Sequence, residues 1–175
     1  TPFPQAVKKA GEPLLKKLAI DIAAQAERLA ELESSIKGGD IGRGHLIFNG
    51  KAICITCHKI GYRGGKMGPD LSRIGKIRTE RDLLEAIAYP SASFVRGYEP
   101  MLVKTKSGEQ LAGVILNEAA NHLEMAIGPA LQRKIPRADI AELKPSPISL
   151  MPAGLDRVLT KQELADLIAF LKSLK

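Results

Sequence analysis

The stretch Cys54-Ile55-Thr56-Cys57-His58 contains both cysteines of this 175-residue chain. Two thiols three residues apart on one turn of the chain can reach the two vinyl groups of a haem and form thioethers. The spacing C-x-x-C-H is typical of covalent c-type haem attachment, with the adjacent imidazole as the proximal ligand of the iron. We therefore predict one haem c attached through Cys54 and Cys57, with its iron bound by His58.

Three other interpretations of the two cysteines explain the motif less well. A thioredoxin-like redox pair normally lies near a βαβ pattern, and none flanks this segment. A structural zinc site needs four ligands, and the other two histidines, His45 and His122, do not have zinc-finger spacing. A disulfide between the cysteines would leave His58 unexplained.

Helix signals lie on both sides of the motif. Asp40 is a predicted N-cap for a short helix that runs almost to the first cysteine, and Thr79 is a predicted cap for a later helix. Near the C-terminus, Thr160 and Glu163 form a capping box. The helix that follows carries an apolar stripe at helical spacing: Leu164, Leu167, Ile168, Leu171 and Leu174.

Several sequence features together resemble a class I cytochrome c. They are Gly44 and Phe48 before the motif, Gly68-Pro69-Asp70-Leu71 after it, and Leu159-Thr160 leading through Glu163 to Ile168-Ala169-Phe170-Leu171. The resemblance implies a mainly α cytochrome c fold in which the first and last helices cross, with Gly44 allowing close contact and Phe170 packing at the crossing. It also implies haem contacts by Pro69 and Leu71. The Pro69 carbonyl is expected to accept a hydrogen bond from His58.

The second axial ligand of the iron has several candidates. In class I cytochromes c the distal Met often lies in a Met-Pro pair before the C-terminal helix, and Met151-Pro152 matches this position. Met67 is the next candidate, because it lies in the glycine-rich loop (residues 61–68) close to His58. The alternative for Met151 is a packing role, since a flexible Met beside a Pro can simply fill a gap. The other candidates are Met101 and Met125 in strand-like segments, His45 on the first helix, and His122. We predict an iron bound by His58 and Met151.

Residues 98–148 differ in character from the helical segments around them. Strand-like stretches and turn signals predict strands at 101–105, 110–116 and 122–127, with two shorter ones around Ile135 and residues 140–143. One irregular loop is the alternative, but it is uncommon at this length. We therefore predict a small antiparallel β domain inserted in the cytochrome.

The predicted organisation has four segments. They are an N-terminal helical arm over 1–38, the first part of the cytochrome c core over 39–97, the inserted β domain over 98–148, and the second part of the core over 149–175. This order is similar to the haem-binding domain of planctomycete and verrucomicrobial proteins, on three further matches: Pro90-Ser91-Ala92, residues 135–140, and residues 149–155. Members of that family are often C-terminal modules of large secreted proteins, so the resemblance implies a free cytochrome or a module of a larger dehydrogenase.

The predicted arm contains a long helical pattern over residues 14–36, with Pro13 at its start and Gly38-Gly39 as its stop. Its apolar stripe comprises Leu14, Leu18, Ile22, Leu29, Leu32 and Ile36. Such a helix is expected to pack on the cytochrome core or on an upstream domain, with dimerisation through it as the alternative. Residues 1–37 contain no recognisable secretory signal. Because haem attachment of this family occurs outside the bacterial cytoplasm, we expect a periplasmic or other extracytoplasmic location.

The net charge of +7 is concentrated around the motif, because residues 38–97 contain ten basic and five acidic side chains. A basic rim would steer an acidic redox partner, although a solvated surface serving the haem propionates is an equal interpretation. We predict no nucleic-acid partner, because no clustered basic run or stacking aromatics accompany these charges. No apolar run approaches the roughly 20 residues of a membrane span, so we predict none.

These features predict a monohaem c-type cytochrome that transfers electrons for a periplasmic dehydrogenase or respiratory chain and is not itself an enzyme. The first alternative is a haem-based sensor or ligand-binding domain whose sixth ligand is labile. The second is a mainly structural docking module that uses the β insert as its interaction surface.

Overall fold

The computed structural model describes residues 22–175. Its helices are α1 (described over 22–35), α2 (Ile41–Asn49), α3 (Ile74–Ile77), α4 (Glu80–Ala88), α5 (Leu155–Val158) and α6 (Lys161–Ser173). Its strands are the hairpin β1 (Lys59–Ile60) and β2 (Arg63–Gly64), followed by β3 (Pro100–Thr105), β4 (Gln110–Glu118), β5 (His122–Gly128), β6 (Leu131–Pro136) and β7 (Ile140–Pro145). None of the helices within residues 22–175 has the length and apolar character needed to cross a membrane. The first eight residues of the helix expected over 14–36 lie outside the described range.

Three predicted helix starts are confirmed. The side chain of Asp40 accepts a hydrogen bond from the backbone N–H of Arg43, which caps α2. Capping boxes begin α4 at Thr79 and α6 at Thr160, and in each the carboxylate three positions later accepts a hydrogen bond from the backbone N–H of the cap. Because a cap supplies partners for N–H groups that the helix cannot satisfy itself, these short polar signals set where each helix begins.

Helices α2 and α6 cross in close contact at Gly44. A Cβ atom at this position would lie 1.9 Å from the backbone oxygen of Asp166 and 2.7 Å from the Cβ of Phe170. Only glycine permits this approach without moving a backbone. Beside the crossing, the ring centroids of Phe48 and Phe170 lie 5.5 Å apart. The roles expected of Gly44 and Phe170 are therefore confirmed.

A buried carboxylate joins the same two helices. The side chain of Asp166 is 2% exposed and accepts hydrogen bonds from the backbone N–H of Asp40 at 2.7 Å, from Nε of Arg43 at 2.6 Å and from Nε2 of Gln162 at 2.9 Å. The Arg43 guanidinium, together with the other donors, holds the pKa of Asp166 well below its usual range. The carboxylate is therefore charged and fully partnered, and it fastens the start of α2 to α6.

The helical part of the molecule has one apolar core, to which α1 contributes. Leu29 and Leu32 of α1 are buried in it, whereas Ile22, expected on the same apolar stripe, is 64% exposed. The other buried members are Ile47, Phe48, Ala52, Leu83, Leu84, Ile87, Ala88, Leu159, Leu164, Leu167, Ile168, Phe170 and Leu171. Ion pairs from α1 to Arg81, Asp156 and Lys161 surround this contact. Helix α1 therefore packs on the helical core, and dimerisation through it stays a prediction.

Strands β3 to β7 form a five-stranded antiparallel sheet in the order β6-β5-β4-β3-β7. Its two edge strands are consecutive in the chain and are joined only by the 3-10 turn Arg137–Asp139, so the sheet must curl until its edges approach each other. The curled sheet has a core of its own around Val103, Met125 and Ile135. The five strands expected between residues 98 and 148 are confirmed.

The prediction of a mainly α fold is wrong. Of the described residues, 38% are helical and 25% lie in strands, and the largest sheet has five strands. The reason is that residues 100–145 form a complete sheet with a separate apolar core. The architecture therefore combines a helical part (α1–α6) with a sheet part (β3–β7), and the first of these contains the two cysteines.

Candidate functional site

Cys54 and Cys57 lie at either end of a single helical turn. Residues Cys54–Thr56 form a 3-10 turn, in which the backbone N–H of Cys57 and that of His58 both donate to the oxygen of Cys54 at 3.2 and 2.9 Å. Residues at i and i+3 of such a turn are eclipsed, so both side chains leave from the same side of the backbone. The two cysteines are free thiols and half-buried. Both are thus available for bonds to one planar group.

The thiol of Cys54 is a poor nucleophile in this environment. Burial raises its pKa to about 11, whereas a reactive redox cysteine needs a lowered pKa to supply thiolate at neutral pH. This observation weighs against the thioredoxin-like interpretation. The structure also contains no disulfide between Cys54 and Cys57.

The backbone is strained at Ile53, the residue before the Cys54–Thr56 turn. Ile53 has a φ of 46° and a ψ of 27°, which places a β-branched residue in the left-handed region. This conformation costs about 1–2 kcal/mol for a residue with a Cβ. The side chain is 58% exposed, so packing does not offset the cost at this position. Backbone strain of this kind is concentrated at functional sites.

The imidazole of His58 is held in one tautomer. Its Nδ1–H donates to the backbone oxygen of Pro69 at 2.9 Å, since a carbonyl can only accept. The structure therefore contains the hydrogen bond that the resemblance implies. Burial lowers the pKa of His58 despite this bond, which favours the neutral form of the ring. In a neutral ring with Nδ1 protonated, Nε2 carries a free lone pair. This is the tautomer in which Nε2 can bind a metal.

Glycines of the loop 61–68 wrap closely around the motif. A Cβ on Gly68 would lie 2.6 Å from Cε1 of His58, so this glycine lies directly against the imidazole ring. A Cβ on Gly64 would lie 2.1 Å from the backbone oxygen of His58, and one on Gly65 would lie 2.0 Å from that of Thr56. The loop therefore lies in direct contact with the motif, and a side chain at any of these three positions would clash with it. Sequence reasoning noted the glycine-rich loop but did not assign these contacts, although the glycines' position just after C-x-x-C-H was the available signal.

Met151 packs against the same apolar core as Cys54 and Leu71. All three are half-buried, and seven other half-buried side chains pack on the same core: Ile36, Ile55, Ile60, Ile74, Tyr89, Leu155 and Leu174. The structure therefore brings a thiol, a thioether and a set of incompletely covered apolar side chains to one core.

The other candidate axial ligands occupy different surroundings. Met125 is fully buried within the sheet part, and Met101 packs against the same sheet core. His122 lies on β5, where its ring nitrogens contact Asn121 at 2.6 Å and Glu124 at 3.2 Å. The imidazole of His45 packs against Phe170 with ring centroids 5.2 Å apart. Met67 is half-buried in the glycine-rich loop.

The donors fit a c-type haem better than a structural metal ion. Two thiols, a neutral imidazole and a thioether match the bonds and ligands that such a group needs from a protein. Among residues 22–175, no group of three or more His, Cys, Asp or Glu side chains is placed to hold a metal ion. Two cavities have volumes of about 590 and 340 Å³. The larger lies next to the loop that carries Met151, because Ala153 and Gly154 line it together with residues of α1, α5 and the end of α4. The smaller is lined by residues of the sheet part.

The resemblance to class I cytochromes c rests on these residues and contacts alone. No protein-family model matches the chain, and a search of curated proteins finds no significant match.

Proposed function

We propose that the protein is a monohaem c-type cytochrome module that transfers electrons. In this proposal Cys54 and Cys57 would hold one haem through thioether bonds, and His58 and Met151 would bind its iron. The observation that carries the proposal is the hydrogen bond from Nδ1–H of His58 to Pro69, beside two free thiols. A hydrogen bond to a carbonyl is the usual outer partner of a metal-binding imidazole, because it fixes the ring and raises the basicity of the ligating nitrogen.

When bound, the haem supplies an iron that cycles between Fe(III) and Fe(II). The protein's own residues control that iron's surroundings. The soft thioether of Met151 favours the ferrous form and raises the reduction potential relative to two imidazole ligands. The half-buried apolar side chains around Leu71 and Ile74 exclude water and lower the local polarity. No substrate chemistry is assigned to any side chain.

We also propose kinship with the planctomycete and verrucomicrobial haem-binding domain. The close crossing at Gly44 supports it, as does a sheet placed between the helix α4 and the Met151 loop. The kinship implies an extracytoplasmic location and service to a dehydrogenase or a respiratory chain, either as a free cytochrome or as a module.

An acidic redox partner is proposed from the charges near the motif. Of the ten basic residues in 38–97, four form ion pairs with described residues: Arg43, Lys51, Lys59 and Arg81. The other six form none within residues 22–175 and are exposed: Arg63, Lys66, Arg73, Lys76, Arg78 and Arg96. Unpaired exposed cations attract an anionic surface over roughly a Debye length, about 8 Å at physiological salt.

Carbon monoxide distinguishes electron transfer from ligand sensing. We expect the reduced protein, matured with its haem, to bind CO slowly and incompletely, because Met151 occupies the sixth position of the iron. The measurement is the absorption change after mixing the ferrous protein with CO-saturated buffer. Rapid and complete binding would contradict the proposal and favour a haem-based sensor with a labile sixth ligand.

A further inference from the structure

The side chain of Ser91 connects the loop that carries Met151 to the helical part, and the side chain of Ser149 fixes the backbone of Met151 within that loop. The hydroxyl oxygen of Ser149 accepts a hydrogen bond from the backbone N–H of Met151 at 3.1 Å. The backbone N–H of Ser149 in turn donates to the hydroxyl oxygen of Ser91 at 3.0 Å, although the two residues are 58 positions apart. These contacts form a relay from Ser91 through Ser149 to Met151.

Ser91 is well placed to anchor the relay. It follows α4 directly, in a turn that is closed by a hydrogen bond from the backbone N–H of Ala92 to the oxygen of Tyr89 at 2.9 Å. Tyr89 packs against the helical core, and Pro90 is buried. The position of Ser91 is therefore set by the core rather than by the sheet part.

The Met151 loop has few other local restraints. Residues 146–154 contain no helix or strand, so the backbone of Met151 has no partner from regular secondary structure. Pro152 follows and lacks an N–H group, and it restricts Met151 to extended backbone angles. The chain then enters α5 through Gly154, whose φ is 89°. Ser91 therefore ties this loop to the turn that follows α4, and Ser149 fixes the backbone of Met151 within the loop.

We propose that Ser149 and Ser91 are positioning residues for the axial thioether, an inference that rests on the proposed role of Met151. The relay holds the backbone of Met151 against the helical part, so that its sulfur stays within reach of the iron. Neither serine touches the iron or the haem in this proposal. Their effect is on how readily Met151 leaves the sixth position.

Ser146 offers a matched control within the same loop. Its hydroxyl also accepts a backbone hydrogen bond, from the N–H of Ile148 at 3.1 Å, and it donates to the oxygen of the same residue. These bonds are local and do not involve Met151. Ser146→Ala therefore removes a bond of the same type and length without breaking the relay.

The test is the binding of imidazole to the oxidised holoprotein, because added imidazole must displace Met151 from the iron. Loss of the Met-to-iron charge-transfer band reports the displacement. We expect Ser149→Ala to raise the apparent imidazole affinity about fivefold, and Ser91→Ala about two- to threefold because that bond is more exposed. Ser149→Thr keeps the hydroxyl and should restore the wild-type affinity, and Ser146→Ala should leave it unchanged.

Each outcome separates this inference from the proposed function. If the wild-type holoprotein shows no charge-transfer band, Met151 is not a ligand, and both that assignment and the positioning role of the two serines are overturned. If the band is present but Ser149→Ala binds imidazole as weakly as the wild type, the relay has no positioning role. An equal increase in Ser146→Ala would also overturn the inference, since it would show that any change in the loop has the same effect.

Discussion

Replacing Met151 with alanine is expected to abolish the Met-to-iron charge-transfer band of the oxidised protein while leaving the haem attached. The substitution removes the thioether sulfur but leaves the thiols and His58 in place. The reduced variant should bind CO rapidly, because the sixth position becomes open. Its reduction potential should fall, since the ligand that favours the ferrous iron is lost. Absorption spectra of both oxidation states and a redox titration measure these three effects.

Met67→Ala is the control for this prediction. Met67 is half-buried in the glycine-rich loop near His58 and was the second candidate ligand in the sequence. The Met67 variant should keep the band and the slow reaction with CO. If the band survives in Met151→Ala and disappears in Met67→Ala, the ligand assignment is wrong and the glycine-rich loop supplies the thioether.

Gly44→Ala is expected to destabilise the protein by about 3 kcal/mol, which corresponds to a fall of about 6–12 °C in the thermal midpoint. The added Cβ would lie 1.9 Å from the backbone oxygen of Asp166. Neither backbone can yield independently, because the same Asp166 is fastened to Asp40 and Arg43 by short hydrogen bonds. Helices α2 and α6 would have to separate, and the packing of Phe48 on Phe170 would loosen.

Gly42→Ala is the control, because it makes the same substitution in α2 at a position that does not contact α6. At Gly42 an added Cβ would meet only the side-chain oxygen of Asp40, at 3.3 Å, and the residue is exposed. That oxygen caps α2 by accepting from the N–H of Arg43 and would have to shift by a few tenths of an ångström, which offsets part of the gain in helix propensity. Gly42→Ala should therefore change the free energy of unfolding by less than about 1 kcal/mol. Thermal unfolding of the two variants beside the wild type measures the difference. Equal midpoints for Gly42→Ala and Gly44→Ala would mean that the crossing is not closely packed at Gly44.

Local signals in the sequence predicted the elements well. Asp40, Thr79 and Thr160 mark helix starts because each cap is satisfied by its own neighbours in the chain. The strands between residues 98 and 148 were predictable for a similar reason, since alternation and turn residues act over a few positions. The mainly α class is wrong although the inserted strands were predicted, because a five-stranded sheet with its own apolar core gives the described residues too much strand for that class.

Contacts between distant residues were the least predictable part. The burial of Asp166 and its bonds to Asp40 and Arg43 join positions more than 120 residues apart. The left-handed Ile53 has no signal in its residue type, because a β-branched side chain disfavours that conformation. The contacts of Ser91 with Ser149 likewise arise only when α4 and the Met151 loop are folded together. In the candidate site, the motif predicted the two thiols and the imidazole. The close contacts of Gly64, Gly65 and Gly68 with the motif depend on the folded chain.

The most direct test of the central claim is the intact mass of the denatured protein. The chain would be produced in a bacterial periplasm that contains a c-type haem maturation system, then unfolded in acid and separated from any loose cofactor. We predict a mass equal to the polypeptide plus one haem, and the bare polypeptide mass for a Cys54→Ala/Cys57→Ala variant. A wild-type chain that carries no haem, or that releases it on unfolding, would contradict covalent attachment and with it the assignment of this protein as a c-type cytochrome.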